Sequence, residues 1–396
     1  MTMNKKGKIC FVVQRYGLEV NGGAELECRQ YAERLTDDYD VHVFTTKAID
    51  YMTWRDEYTA DHEVINGVEV WRFPVAFPRD VDEFNKVNAK LLSGNTLSPQ
   101  EEQEWLIKQG PYAPALIEAV KQHKDEYLSY IFCTYLYYPT VAGVEAVREK
   151  AITVPTAHDE IYLTMKMFRK VFTDPKGIFY NTIEEKEFAE ERFENSDVMS
   201  EIGGVGVDIP QDVNSDRFRQ KYNVDKYVVY VGRIDEGKGC GRLFHYFQEY
   251  KKRNGGSLKL VLMGKAVIPV LESDDIINLG FVSDQDKFDG MAGAQFLIMS
   301  SEFESLSMVV LESLALKVPV LVNGRCKVLK GHCVRSNAGL YYHDYYEFEG
   351  AVNYMMSHDE ERQCMGENGV TYIANNYQWK DIIGRLENLI DYVPKE

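Results

Sequence analysis

No apolar run in the 396 residues approaches the ~18–20 needed to cross a bilayer as a helix, so no transmembrane helix is expected. Near the N-terminus, Lys5, Lys6 and Lys8 precede only a short apolar stretch, Ile9 to Val13. That is too short for a signal-peptide core and suits a first strand, which makes a cytoplasmic location the expectation. No CxxC occurs. The seven cysteines (Cys10, Cys28, Cys133, Cys240, Cys326, Cys333 and Cys364) are scattered and odd in number, the pattern of reduced thiols. His332 between Cys326 and Cys333 matches no zinc signature, so no metal is expected there. Positive charge is also short: 45 Lys and Arg against 62 Asp and Glu leave a net −17. Such a surface disfavours nucleic acid and a purely electrostatic hold on anionic lipid. One basic cluster (Lys166, Arg169, Lys170 and Lys176, opposed by Asp174) reads as a solvated helix face. It leaves peripheral contact at the inner membrane face as the most to expect. There is no fixed-period repeat and no low-complexity tract.

What is present is a soluble-type composition, 45% hydrophobic and 27% charged, in a chain long enough for two cores. Lys8–Gln14 is a continuous apolar run, as in strands buried on both faces of a parallel sheet. A turn with Gly17, Gly22 and Gly23 follows, then helical spacing over Ala24–Leu35, then a strand over Asp40–Thr46. Strand, glycine turn, helix and strand make a βαβ unit and predict a doubly wound α/β domain. Asn66-Gly67 signals a hairpin, and Arg79–Lys124 reads as mostly helical, with Ser98-Pro99-Gln100-Glu101 as a capping box. Strands are expected at Tyr127–Thr134, Ala151–Ala157 and Gly177–Thr182. The glycine-rich Val198–Pro210 and the polar Gln211–Asn223 mark a boundary, giving domains of 1–205 and 206–378. A second series of strands follows at Tyr227–Val231, Leu258–Gly264, Ile276–Phe281, Gln295–Ser300 and Val318–Val322. Two doubly wound, Rossmann-like domains in tandem would face each other across a ligand cleft at their strands' carboxyl ends.

Two stretches carry candidate chemistry. Gly232-Arg233 and Lys238-Gly239 directly follow the first strand of the second domain, where a guanidinium fork and an ammonium suit a diphosphate. Glu304 and Glu312, eight positions apart, flank a helix start near Ser305–Ser307. Its unpaired N–H groups suit phosphate, and a carboxylate further in suits sugar hydroxyls. Asp284-Gln285-Asp286 has the form of a metal-binding DxD but sits just before a helical run, where an N-cap pair is expected. Tyr135, Tyr137 and Tyr138 follow a strand; packing is favoured there over stacking on a sugar ring.

In this order and spacing the chain resembles the GT-B-fold retaining glycosyltransferases of family 4 (glycosyl transferases group 1). Gly232-Arg233 with Lys238-Gly239 is similar to that family's diphosphate loop, and Glu304 with Glu312 to its E-x7-E motif. Gly22-Gly23-Ala24-Glu25 is similar to its N-terminal GGxE loop, and His158-Asp159 to its HD pair. Gly206-Val207-Asp208, Gly280-Phe281-Val282 and Trp379 add context. The resemblance implies Arg233 and Lys238 on the donor diphosphate, with backbone at Ser307 and Met308 on its phosphates. Glu312 would bind ribose, Glu304 the donor sugar, and backbone at Phe281 and Val282 would frame the base. Gly22, Gly23 and Gly232 would allow close backbone approach, and His158 would face the reacting centre as a general base or as a donor orienting the sugar. The family's terminal helix crosses back, which assigns 379–396 to the first domain. The implied substrate is a nucleoside-diphosphate sugar (UDP- or GDP-linked), with no cofactor and no metal. The implied acceptor is a glycan, a lipid-linked glycan or a protein in surface polysaccharide or glycoconjugate assembly. The chain departs from the pattern at Ser305 and Lys317, where the family has Gly, and at Asn323-Gly324-Arg325-Cys326-Lys327, near the donor sugar. Two other readings stand beside this one: a nucleotide-sugar epimerase on the same scaffold, and a non-catalytic sugar-nucleotide-binding subunit.

Overall fold

A computed structural model describes residues 5–20, 22–271 and 273–393. Residues 394–396, the end of the expected terminal helix, lie outside the described residues, as do 1–4. The chain forms two compact units: one comprises the chain up to Gly204 together with the segment from Lys380, the other Val205–Trp379.

In the first unit the chain order is β1 (Lys8–Val12), α1 (Gly23–Arg34), β2 (Asp40–Thr46), β3 (His62–Ile65) and β4 (Val68–Phe73). Three helices follow, α2 (Val81–Leu92), α3 (Pro99–Gln109) and α4 (Pro114–Gln122), then β5 (Ser129–Cys133), α5 (Tyr138–Ala146) and β6 (Ala151–Val154). The unit continues with α6 (Arg169–Thr173), β7 (Gly177–Tyr180), α7 (Ile183–Phe193) and β8 (Met199–Ile202). Its sheet runs β3-β4-β2-β1-β5-β6-β7-β8, parallel except for the β3–β4 hairpin. Asn66 and Gly67 both have positive φ, as that tight turn requires. Ser98 and Glu101 form the reciprocal capping box at α3. β1 has β2 on one side and β5 on the other, so the topological switch lies at its carboxyl end, where Gln14 and Arg15 emerge.

The second unit contains α8 (Ser215–Tyr222), β9 (Tyr227–Val231), α9 (Cys240–Asn254), β10 (Lys259–Met263), β11 (Ile276–Asn278), α10 (Asp284–Gly293) and β12 (Leu297–Met299). It continues with α11 (Met308–Ala315), β13 (Val320–Asn323), α12 (Lys327–Ser336), β14 (Gly339–Tyr342), α13 (Tyr345–Ser357) and α14 (Asp359–Asn376). Its sheet runs β11-β10-β9-β12-β13-β14, all parallel. The switch point is the carboxyl end of β9, between β10 and β12. The final helix, α15 (Trp379–Tyr392), passes from this unit to the first. Trp379 stays with the second unit: its Nε1 donates to Asp208 Oδ2 at 3.0 Å, and a Cβ on Gly206 would meet its ring at 2.4 Å. Further along α15, Glu387 accepts from Lys6 Nζ at 2.7 Å and Arg385 donates to the Ile202 carbonyl at 2.9 Å.

Several local expectations are corrected. The glycine-rich boundary segment contains β8. As an edge strand it pairs only with β7 and has a half-exposed face, so it lacks the continuous apolar run of a central strand. The polar Gln211–Asn223 contains α8, which buries only Phe218 and so shows little apolar periodicity. β14 was not anticipated either. Ser283, not Asp284 or Asp286, caps α10, its side chain accepting the Asp286 N–H at 3.1 Å; Asp286 instead pairs with Lys221 at 2.8 Å. In the basic cluster, Lys170 lies 3.1 Å from Glu145 and Arg169 3.9 Å from Glu194, both cations about half exposed, as a solvated face requires. All seven cysteines are free, six of them buried. No helix among the described residues is long and apolar enough to cross a membrane.

Candidate functional site

In the second unit the site is built at the switch point of β9. Gly232 leaves the strand at φ +142, and Gly264, at φ +152, lies so close that a Cβ there would stand 1.9 Å from the Gly232 carbonyl oxygen. The Gly264 N–H in turn donates to the Gly280 carbonyl at 2.7 Å. The loops after β9, β10 and β11 are thus stacked backbone on backbone. Asp235 organises the loop from Gly232 to Gly239. One of its oxygens accepts the Lys238 N–H at 2.7 Å, and the other pairs with Arg233 Nε. Arg233 remains about half exposed. Lys238 Nζ lies 2.7 Å from Glu304 Oε1, across from the end of β12. Ser300 Oγ donates to the Lys238 carbonyl at 2.7 Å, and Asn323 Nδ2 donates to the Ser300 carbonyl at 3.1 Å. The unusual segment that begins at Asn323 is therefore tied through Ser300 to the backbone of the diphosphate loop. Its Cys326 thiol is pushed up to about 11 by burial.

α11 begins beside Glu304. Its N-cap, Ser307, adopts a left-handed conformation at φ +68, and its buried hydroxyl makes no cap hydrogen bond. The first-turn N–H groups of α11, Met308 included, are therefore not closed off by the cap side chain, and the helix dipole adds partial positive charge. Glu312, in the second turn, accepts from Lys287 Nζ at 2.9 Å. Burial raises its carboxyl above the usual range, opposed by that ammonium. Phe281 follows Gly280 (φ +66) and is 77% exposed, and Val282 beside it is half-buried. Lys317 carries φ +64, which explains why glycine is favoured at that position. Its exposed side chain pairs with Glu367 at 3.0 Å.

The first unit holds the other expected residues. Gly22 precedes α1 and Gly23 opens it. Glu25 Oε1 accepts from Gln14 Nε2 at 2.9 Å and from Arg15 Nε and Nη2 at 2.9 and 2.6 Å, all buried. A Cβ on Gly22 would meet Glu25 Oε2 at 2.1 Å, so the glycine there makes room for the clamp. His158 Nδ1 lies 3.4 Å from Glu160 Oε1, so Glu160 rather than the exposed Asp159 is the acid beside it. Tyr135 donates to the same Glu160 oxygen. Behind His158, buried Glu185 accepts the N–H of Ala157 at 2.5 Å and of Asn181 at 2.7 Å. The three tyrosines pack: Tyr135 against Phe168, Tyr137 against Trp54 and Tyr138 against Tyr112.

The structure thus gathers Gly232, Arg233, Lys238, Glu304, Ser307 and Met308 at one sheet end, with Glu312, Phe281 and Val282 on adjoining elements. Gly22, Gly23 and His158 belong to the other unit. Asp235, Lys287, Arg15 and Glu160 were missed. Asp235 and Glu160 left a local signal, the first an acid two residues from Arg233 and three from Lys238, the second an acid two residues from His158.

Two parallel, doubly wound bodies with this strand order define the GT-B fold. Sucrose-phosphate synthase from Thermosynechococcus elongatus matches with a TM-score of 0.72 at 15% identity, covering 97% of this chain and 98% of that one. Alr3699/HepE of Anabaena, solved with UDP and glucose, matches at 0.70 and 15% identity over 97% and 99%. Residues 213–371, most of the second unit, match the family described as Glycosyl transferases group 1. The chain is also 33% identical over 106 residues to N-acetylgalactosamine-N,N'-diacetylbacillosaminyl-diphospho-undecaprenol 4-alpha-N-acetylgalactosaminyltransferase of Campylobacter jejuni. That match takes in 24% of this chain and spans 27% of the relative's length.

Proposed function

We propose that the protein is a retaining glycosyltransferase of family 4. It would move a sugar from a nucleoside-diphosphate donor to a glycan, lipid-linked or protein acceptor in surface polysaccharide or glycoconjugate assembly. The carrying observation is the pair of cations, Arg233 and Lys238, set beside Glu304 and the start of α11 at the switch point of β9. Residues 206–378 serve as the donor domain, and 1–205 with the terminal helix as the acceptor side. The UDP and glucose in the Anabaena structure support a nucleotide-sugar donor, and the Campylobacter relative's name supports a lipid-linked acceptor. Such an acceptor suits a cytoplasmic protein with peripheral contact at the inner membrane face.

The chemistry follows from charge. Breaking the bond between the anomeric carbon and the diphosphate oxygen builds negative charge on the leaving phosphate. Arg233, Lys238 and the N–H groups at Ser307 and Met308 would stabilise it. Asp235 and Glu304 hold the two cations meanwhile, and Glu304 would also contact the donor sugar. Glu312 binds ribose hydroxyls, and backbone at Phe281 and Val282 frames the base. The acceptor oxygen bonds to the anomeric carbon from the face the phosphate leaves, and its proton passes to the leaving phosphate oxygen. His158, with Glu160 3.4 Å from its Nδ1, would act as general base or hydrogen-bond the donor sugar.

A thermal-shift panel of UDP, GDP and their sugars tests donor binding, because a ligand at 100 times its Kd adds about 2.7 kcal/mol of stability. Arg233→Ala and Glu304→Ala are expected to abolish transfer while leaving the fold intact. Full transfer activity in both variants refutes the assignment. So does NMR detection of an epimerised donor without acceptor, and so does donor binding without transfer across an acceptor panel.

A further inference from the structure

His332 lies wholly inside the second unit, on α12, and the roles above do not use it. Its Nε2 is 2.9 Å from the Leu306 carbonyl oxygen, and its Nδ1 is 3.1 Å from Tyr372 Oη. Burial, with Arg335 nearby, lowers its pKa to about 4, so the ring is neutral and carries one hydrogen. A carbonyl only accepts, which places that hydrogen on Nε2 and leaves Nδ1 to accept from Tyr372. Tyr372 Oη also accepts from Arg335 Nε at 3.4 Å and lies 3.4 Å from Tyr377 Oη. The ring is therefore held on both edges.

The bonded carbonyl belongs to the peptide that enters α11. In a trans peptide the C=O and the following N–H point in opposite directions. With the Leu306 carbonyl drawn into the core by His332, the Ser307 N–H faces the opposite way, out at the helix start. Ser307 is itself left-handed at φ +68, a conformation that side-chain-bearing residues avoid and that needs an external hold. Its carbonyl is committed to the Val310 N–H at 3.0 Å. The His332 contact fixes the other side of the turn.

We propose that His332 is a positioning residue for the donor phosphates: through the Leu306 carbonyl it aims the Ser307 N–H at the phosphate position, so that helix-start recognition depends on a side chain that never touches ligand. This rests on the donor-site reading above.

The test is isothermal titration of the full chain with UDP against uridine, and with GDP against guanosine. His332→Phe keeps ring bulk but removes the donor; it is expected to weaken the diphosphate about tenfold and the nucleoside by less than about twofold. His332→Gln retains an N–H donor and is expected to recover most of that loss. Should His332→Phe not fold, Tyr372→Phe frees the second ring edge, and the diphosphate-to-nucleoside ratio is expected to fall by about threefold. An unchanged ratio in the folded variants overturns the positioning role alone, even if their thermal stability drops. Wild-type protein that binds neither diphosphate overturns the donor-site reading, and this inference with it.

Discussion

Gly239 is the most exacting position in the diphosphate loop. It sits at φ +69, and a Cβ built there would lie 2.4 Å from the Ser300 carbonyl oxygen, where ordinary contact begins near 3.4 Å. Gly239→Ala must therefore move the loop or the end of β12 by about 1 Å, on top of a left-handed cost of about 1–2 kcal/mol. Neither side yields easily. Ser300 Oγ is bonded to the Lys238 carbonyl at 2.7 Å, and Asn323 holds the Ser300 carbonyl itself at 3.1 Å. The displacement falls on Lys238, the adjacent residue, whose ammonium stands 2.7 Å from Glu304. A shift of that size at a charge-stabilising group is expected to lower the transfer rate by about 100-fold. Gly237→Ala is the control. A Cβ there meets only Asp235 Oδ1, at 3.4 Å, and the backbone does not require positive φ. It should change stability by less than about 0.5 kcal/mol and leave the rate alone. Initial rates and donor KM, measured beside urea unfolding, separate the two. Wild-type rate and donor KM in Gly239→Ala would mean that the loop does not depend on this close contact.

Glu25→Ala strands the Arg15 guanidinium in the core of the first unit, an expected loss of about 3–5 kcal/mol in that unit's urea transition; a loss under about 1 kcal/mol contradicts a buried clamp. Burial raises Glu27 to about 7 and Glu185 to about 8. A raised folded pKa contributes stability below the unfolded value that is lost as pH rises through the folded one. The first unit should therefore weaken between pH 6 and 8, by up to about 1.4 kcal/mol per pH unit for each carboxyl, and a urea midpoint that rises over that range rejects this. Glu312→Gln should weaken UDP or GDP by about tenfold and their 2′,3′-dideoxy forms far less, by titration calorimetry; equal losses would remove Glu312 from the ribose.

Much of the architecture was legible because it rests on local rules. β1 and β9 are apolar runs buried on both faces, Asn66-Gly67 dictates its own turn, and Ser98 with Glu101 closes its own cap. β8 and α8 were not legible, because one borrows its stability from a single neighbouring strand and the other from one buried Phe218.

The same division runs through the site. The cations at Arg233 and Lys238, the spacing of Glu304 and Glu312, and the glycines of the loops could be read along the chain. Their partners come from folding: Lys238 with Glu304, Glu312 with Lys287, and the Leu306 carbonyl with His332. Those pairs lie 66, 25 and 26 residues apart along the chain. Strand order, not spacing, brings them within hydrogen-bond reach. β12 lies next to β9, which sets Glu304 opposite Lys238. A buried polar group must find a partner, but which partner it finds is settled only when the sheet closes.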